Sequence, residues 1–207
     1  PLFGKNVLIV GAGSPVGLAL VDLARNAGAI IYTLSHSSHW SAINKVGAKY
    51  WHRLSQKELW EAKWRGQMDL IVDAVGDSDY NSSFYTVMKP CGRLVTMNIT
   101  SCEKKYVPSR PLAGSRCEHG LGLSSRYKER VLNDKAFDYD ICLSFYEDEE
   151  LFTEDLAYLH HLFQIGKIRP KIFSQVGFDE LEDEWEKVMT GGTNGGVVIV
   201  LPGRIVV

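Results

Sequence analysis

VLIVGAGSPVGLAL, residues 7–20, decides how this chain is read. Four β-prone apolar residues, Val7 to Val10, run into a glycine turn, and an amphipathic helix follows at once. Gly11 permits the tight bend out of the strand, and Gly17 lets the helix pack closely on a sheet. Ser14 followed by Pro15 fits an N-cap and a first helical position, because serine accepts from a bare backbone N–H and proline has none. Beyond Pro15, the amides of Val16 and Gly17 and the positive helix end could meet a pyrophosphate, with proline removing one donor. The glycines at 11, 13 and 17 stand one residue further apart than Gly-x-Gly-x-x-Gly. Two readings stay open at this point: a variant dinucleotide clamp, or a β-α turn that needs glycine only for its bend.

Working outward, strand-like runs recur with helical stretches between them. The first helix, from about Pro15 to Ala27, places Val16, Ala19, Leu20, Leu23, Ala24 and Ala27 on one stripe. Strands are expected at Ile30–Leu34, Lys49–His52, Leu70–Asp73, Arg93–Met97, Tyr139–Leu143 and Val197–Leu201. Helices are expected around Trp40–Val46 with Gly47 as its C-cap, from Ser55 through Lys63 with Glu58 completing a capping box, and near Tyr80–Met88. Further helices fall at Ser124–Leu132, Thr153–Ile165 and Asp179–Met189, and 103–122 reads as a long loop. Strands alternating with helices imply right-handed crossovers and a parallel sheet covered on both faces. The expected fold is α/β, a doubly wound, mostly parallel six-stranded sheet of order 3-2-1-4-5-6, formed by one domain over residues 1–207. Its ligand crevice would lie beyond the carboxyl ends of strands 1 and 4.

A net charge of −2 over 207 residues gives no reason to expect nucleic acid or an anionic membrane surface. No apolar run approaches the ~20 residues that span a bilayer. The cysteines (Cys91, Cys102, Cys117, Cys142) show neither a C-x-x-C pair nor a histidine at ligand spacing, so no metal site is expected and the thiols read as reduced, with a cytoplasmic location as the default. A chain that opens on Pro1 and goes almost directly into a strand reads as a processed form or a fragment, with any targeting segment upstream.

The residues after the second strand should sort the nucleotide. An acidic residue there would hold the adenosine ribose of NAD, but the stretch is SHSSHW, residues 35–40. That argues against NAD and S-adenosylmethionine and is compatible with NADP, since Ser35, Ser37, Ser38 and either His36 or His39 could donate to a 2′-phosphate. Lys45 is the nearest cation in sequence; solvated loop histidines are the alternative.

The pieces KNVLIVGAGSPVGLALVDLARNAGA (5–29), KVGAKY (45–50), DLIVDAVG (69–76), MKPCGRLVTM (88–97), LHHLFQIGKIRPKI (159–172) and GGVVIVL (195–201) together resemble the nucleotide-binding half of the medium-chain dehydrogenase/reductase superfamily, in particular its zinc-free quinone-oxidoreductase branch. That branch has a glycine loop one residue longer than the zinc-type GAGPVG, with glycine near its middle, where this chain has Ser14. The resemblance implies a Rossmann-like fold and NADP(H) as cofactor. Ser14, Val16 and Gly17, with Gly11 and Gly13, would border the pyrophosphate. The 35–39 loop (Ser35, Ser37, Ser38, His39) would hold the adenosine end. Val75, Gly76, Asn98 and Ile99 would flank the ribose and nicotinamide. It also implies hydride transfer to a quinone, enone or similar carbonyl in the full-length protein, and a homodimer there. The family's substrate domain is absent from this chain, so no catalytic acid or base is assigned and the chain alone is not expected to turn over substrate. The departures at Ser14, Pro15 and the 2′-phosphate cations lean toward the alternative: an inactive relative acting as an interaction or trafficking factor.

Other constellations weigh less. Tyr85-Thr-Val-Met-Lys89 matches a Tyr-x-x-x-Lys pair, but with nine tyrosines one chance match is expected. His160 and His161 point about 100° apart on a helix and cannot chelate one ion; one should pack and the other be solvated. The acidic runs 147–150 and 179–186 read as solvated faces, with Leu181, Trp185 and Val188 as the buried side of the second. The basic run 103–110 reads as a solvated face as well; the resemblance puts it where relatives carry part of a subunit contact, which makes a partner surface the alternative.

Overall fold

The computed structural model describes residues 2–76, 78–97, 136–139, 149–189 and 196–201. Strand β1 (Asn6–Val10) is followed by helix α1 (Pro15–Asn26), β2 (Ile30–Ser35), α2 (Trp40–Lys45), β3 (Tyr50–Arg53) and α3 (Lys57–Trp64). Then come β4 (Met68–Asp73), α4 (Asn81–Val87), β5 (Met88–Met97) and β6 (Ala136–Tyr139). The C-terminal part carries α5 (Glu149–Gln164), β7 (Ile172–Val176), α6 (Leu181–Met189) and β8 (Val197–Val200). β1 to β6 form one six-stranded sheet in the order β3-β2-β1-β4-β5-β6, every neighbouring pair parallel. This is the doubly wound order expected from the sequence.

β1 is apolar from Val7 to Val10 because both its faces are covered. Leu8 and Val10 pack with Tyr32, Leu34, Trp60, Trp64 and Phe84 on the α3–α4 face. Val7 and Ile9 pack with Leu18, Val21, Ala24, Ile31 and Ile43 on the α1–α2 face. Each of Val7, Leu8, Ile9 and Val10 is at most 1% exposed, and burying a side chain of that size contributes roughly 1.5–3 kcal/mol relative to exposure.

Several boundaries and faces differ from the sequence reading. The buried stripe of α1 is Gly17, Leu18, Val21, Asp22 and Ala24, while Val16 is 36% exposed. The helix carries two apolar stripes, and the expected one is turned toward α5. There Leu20, Leu23, Ala24 and Ala27 line a cavity of about 360 Å³ closed by Tyr158 and Leu162. α3 starts at Lys57 with Gln56 as its N-cap and no side-chain cap bond, so Ser55 caps nothing. β6 lies at Ala136–Tyr139, three residues before the expected start.

Val197–Val200 does not join the main sheet but pairs in parallel with Ile172–Val176, a strand the sequence did not reveal. His160 and His161 are both exposed. On α6, Trp185 is 60% and Val188 40% exposed, and the residue turned inward is Glu184, which accepts from Ser174 Oγ (3.0 Å) and pairs with Lys187 (2.5 Å). The expected helix at 124–132, the loop at 103–122, the first two residues of the acidic run at 147–150, and the basic run at 103–110 lie outside the described residues. Among the described residues no helix is long and apolar enough to cross a membrane.

Candidate nucleotide site

The sheet reverses its winding between β1 and β4, whose last residues, Val10 and Asp73, are register partners. The chain therefore leaves both strands at one edge and diverges, and the two exits face each other across the crevice. Gly11 (φ 75°) makes the first turn, and a Cβ there would fall 2.7 Å from Val75 Cγ2, so the exits of β1 and β4 pack directly together. Asp73, 1% exposed, holds the second exit: its Oδ1 accepts from the amides of Val75 (2.9 Å) and Gly76 (3.2 Å), and Gly76 adopts a φ of 73°. The D-x-V-G spacing of this side-chain-closed turn was a signal available in the sequence.

Within the glycine turn, the amides of Gly11 and Ala12 donate to Leu34 O (2.9 and 3.2 Å), and the Ser14 amide donates to Gly11 O (2.9 Å). Ser14 is the N-cap, as expected: its hydroxyl donates to Gly11 O (2.9 Å) and accepts from the Gly17 amide (3.0 Å). The Gly17 amide, one of the two expected to meet a phosphate, is therefore engaged by the chain's own cap. Gly17 has the packing role assigned to it, since a Cβ there would run into Gly11 O and lie 2.6 Å from Ala12 Cα. Among the described residues, no hydrogen bond engages the amides of Gly13 and Val16. With the positive end of α1 behind them, these two donors are the anion-binding capacity of the turn.

The 35–39 loop folds back onto this turn. A Cβ at Gly13 would coincide with the His39 side chain, whose imidazole lies against the glycine. Ser35 is buried and fully occupied, accepting from Trp51 Nε1 (2.8 Å) and donating to His36 O (3.1 Å). His36 Nδ1 lies 3.0 Å from Ser38 Oγ and caps the short 3-10 turn Ser37–His39 by accepting from the Ser38 amide. Burial foremost, then the positive charges of His36 and Lys171, hold His39 below the usual imidazole range. The structure thus brings Gly11, Gly13, Ser14, Val16, Gly17, His39, Val75 and Gly76 to one edge and turns Ser35 away into packing. Asn98 and Ile99 lie outside the described residues.

Lys89 lies at the start of β5 and its Nζ is bound to Asp69 Oδ2 at 2.7 Å, which anchors β5 to β4 and leaves the Tyr85–Lys89 spacing a chance match. Burial alone would raise the Asp69 carboxyl, but the hydrogen bonds from Lys89 and the Asn6 amide, with the charges of Lys89 and Lys5, carry it below its ordinary value. Among the described residues no group of three or more His, Cys, Asp or Glu could hold a metal ion.

A doubly wound sheet with a glycine turn and a facing β4 exit is a Rossmann-like arrangement, and the comparisons with known proteins say which family carries it here. The family model described as zinc-binding dehydrogenase matches residues 46–199, and the chain belongs to that family within the medium-chain dehydrogenase/reductase superfamily. It is 30% identical over 170 residues to the spectinabilin polyketide synthase system protein NorB of Streptomyces orinoci, covering 81% of this chain and 7% of that protein. It is 23% identical over 203 residues to a quinone oxidoreductase-like protein 2 homolog of Nematostella vectensis, covering 95% of this chain and 50% of that protein. Among solved structures, CurK enoyl reductase matches with a TM-score of 0.72 at 18% identity, over 98% of this chain and 56% of that one. The chain thus spans a small part of the first relative and half of the second.

Proposed function

We propose that residues 1–207 form the NADP(H)-binding domain of a zinc-independent reductase that delivers hydride to a quinone, enone or similar conjugated carbonyl. The observation that carries this reading is the turn itself: two open amides, Gly13 and Val16, at the positive end of α1, facing the β4 exit at the switch point of the sheet. This donor set fits a pyrophosphate, with Gly11 and Gly17 giving the close backbone packing and Ser14 fixing the helix start. Val75 and Gly76 are the described residues that would border the ribose and nicotinamide, with Asn98 and Ile99 as proposed partners. His39 with Ser37 and Ser38 would border the adenosine end. When bound, the nicotinamide supplies the hydride chemistry, and this chain orients it. Kinship with a polyketide synthase protein and a quinone oxidoreductase-like protein supports an unsaturated carbonyl as the acceptor.

Titration of the chain with NADPH, followed through the Trp40–Trp51 pair beside the 35–39 loop, is expected to saturate in the micromolar range. Val16→Glu places a carboxylate in the first turn of α1, where it favours the helix but repels a phosphate. That variant should melt no lower than the parent and bind NADPH roughly tenfold or more weakly, from one like charge at close range. No saturation by the parent up to millimolar NADPH and NADH would overturn the reading.

A further inference from the structure

Protein interiors leave few voids larger than a water molecule, yet one of about 360 Å³ stands between the sheet, α1 and α5. An apolar cavity of ~150 Å³ already holds a benzene molecule, so this one has room for roughly twice that. Burial separates its floor from its mouth. Val7 and Ile9 on β1 and Ala24 on α1 are at most 5% exposed and form the floor. Asn26, Ala27 and Tyr158 are exposed and stand at the opening. That opening lies at the C-terminal end of α1, the end away from the glycine turn. Leu20, Leu23, Leu70 and Val72 line the walls and are only half-buried, so a ligand in the void would take further apolar surface out of water. Two features set the size of the void. Ala24 and Ala27 stand on α1 where larger side chains would fill it. The chain leaving α5 is tied to α1, with Asn26 Nδ2 donating to Lys167 O (2.8 Å) and the Arg169 amide to Asp22 Oδ2 (3.0 Å), which fixes where the helical roof stands. Among the described residues none that lines the void is charged, and the Asn26 amide nitrogen is already engaged by Lys167 O. A charged group taken inside would therefore find no partner.

We propose that the cavity between α1 and α5 is a second ligand site, separate from the crevice at the glycine turn, which takes an uncharged, mostly apolar small molecule of roughly ten heavy atoms. Its apolar body would lie on Val7, Ile9 and Ala24, and its outer end would reach Tyr158 at the mouth. The site stands whether or not the turn binds a nucleotide, because the two open at opposite ends of α1.

The test titrates the chain with 1-butanol, 1-hexanol and 1-octanol by calorimetry, and with octanoate as the charged counterpart. 1-Octanol should saturate one site at about 100 μM or below, with affinity rising about fourfold per methylene along the series. Octanoate should bind about tenfold or more weakly. In methyl NMR spectra, 1-octanol should shift Leu20, Leu23 and Val72 and leave Val10 and Leu34, which pack on the other face of the sheet, in place. Ala27→Phe sets a ring across the opening at an exposed position, so it should melt with the parent and lose 1-octanol binding about tenfold or more. Ala24→Leu fills the floor and should have the same effect on binding; if it overpacks and unfolds, A27F still decides. No saturation by 1-octanol up to its solubility, an affinity that A27F leaves unchanged, or shifts spread over both faces of the sheet overturns the inference. Octanoate binding as tightly as 1-octanol overturns the assignment to an uncharged ligand.

Discussion

At the scale of single residues, Gly13 and His39 are two halves of one contact. Gly13 is not among the glycines with positive φ, so its lack of a side chain serves space and not backbone conformation. The imidazole fills the position a Cβ would take. Gly13→Ala should therefore destabilise the chain by roughly 1–3 kcal/mol in denaturant melts, the range for overpacking. In the His39→Ala background the cost of G13A should shrink by at least about 0.5 kcal/mol, a coupling that a double-mutant cycle reads directly. Ser14 and Pro15 were legible from sequence because capping is a local matter of one side chain and three amides. The engagement of Gly17 by that same cap was equally local, yet the motif reading assigned its amide to a ligand. The burial of Ser35 was not legible, because its partner Trp51 sits on the neighbouring strand.

At the scale of elements, Asp22 is the hinge pin between α1 and the C-terminal segment. It is 2% exposed, and its carboxylate takes the Arg25 guanidinium (2.7 Å) on one oxygen and the Arg169 amide on the other. Asp22→Ala strips both, with Arg25 reaching partly into solvent, so thermal or denaturant melts should show a loss of about 1–3 kcal/mol. Strand positions were read well where continuous apolar runs mark strands buried on both faces. β7 was missed because IFSQV offers neither a long apolar run nor clean alternation. The stripe of α1 was misplaced because the helix is apolar on two sides, and periodicity alone cannot say which side meets the sheet.

At the scale of the whole molecule, the winding order was legible because alternating strands and helices admit few right-handed arrangements. The two-stranded sheet was not, since pairing between distant strands leaves no local trace. Stability of the whole fold should depend on pH in two stages. Burial, with Lys63 nearby, lowers His52, as burial, His36 and Lys171 lower His39. A histidine depressed in the folded state contributes stability that is present above its unfolded value near 6.5 and is lost as pH falls from there toward the folded value. Asp69, also depressed, contributes until pH falls below 3.8 through its folded value. Melts should therefore weaken first as pH falls below about 6.5, and again in strong acid. His52→Phe, which keeps a ring against Trp64, should flatten the first stage. Asn26 Nδ2 donates to Lys167 O (2.8 Å) and the Arg169 amide to Asp22 Oδ2 (3.0 Å), which ties the outer flank of α1 to positions 141 and 147 residues away. During synthesis the opening helix emerges from the ribosome on the order of ten seconds before its outer flank can be covered, at ~5–20 residues per second. For that interval its leucines stand bare to chaperones, and completion of this unit waits for residues 167–169.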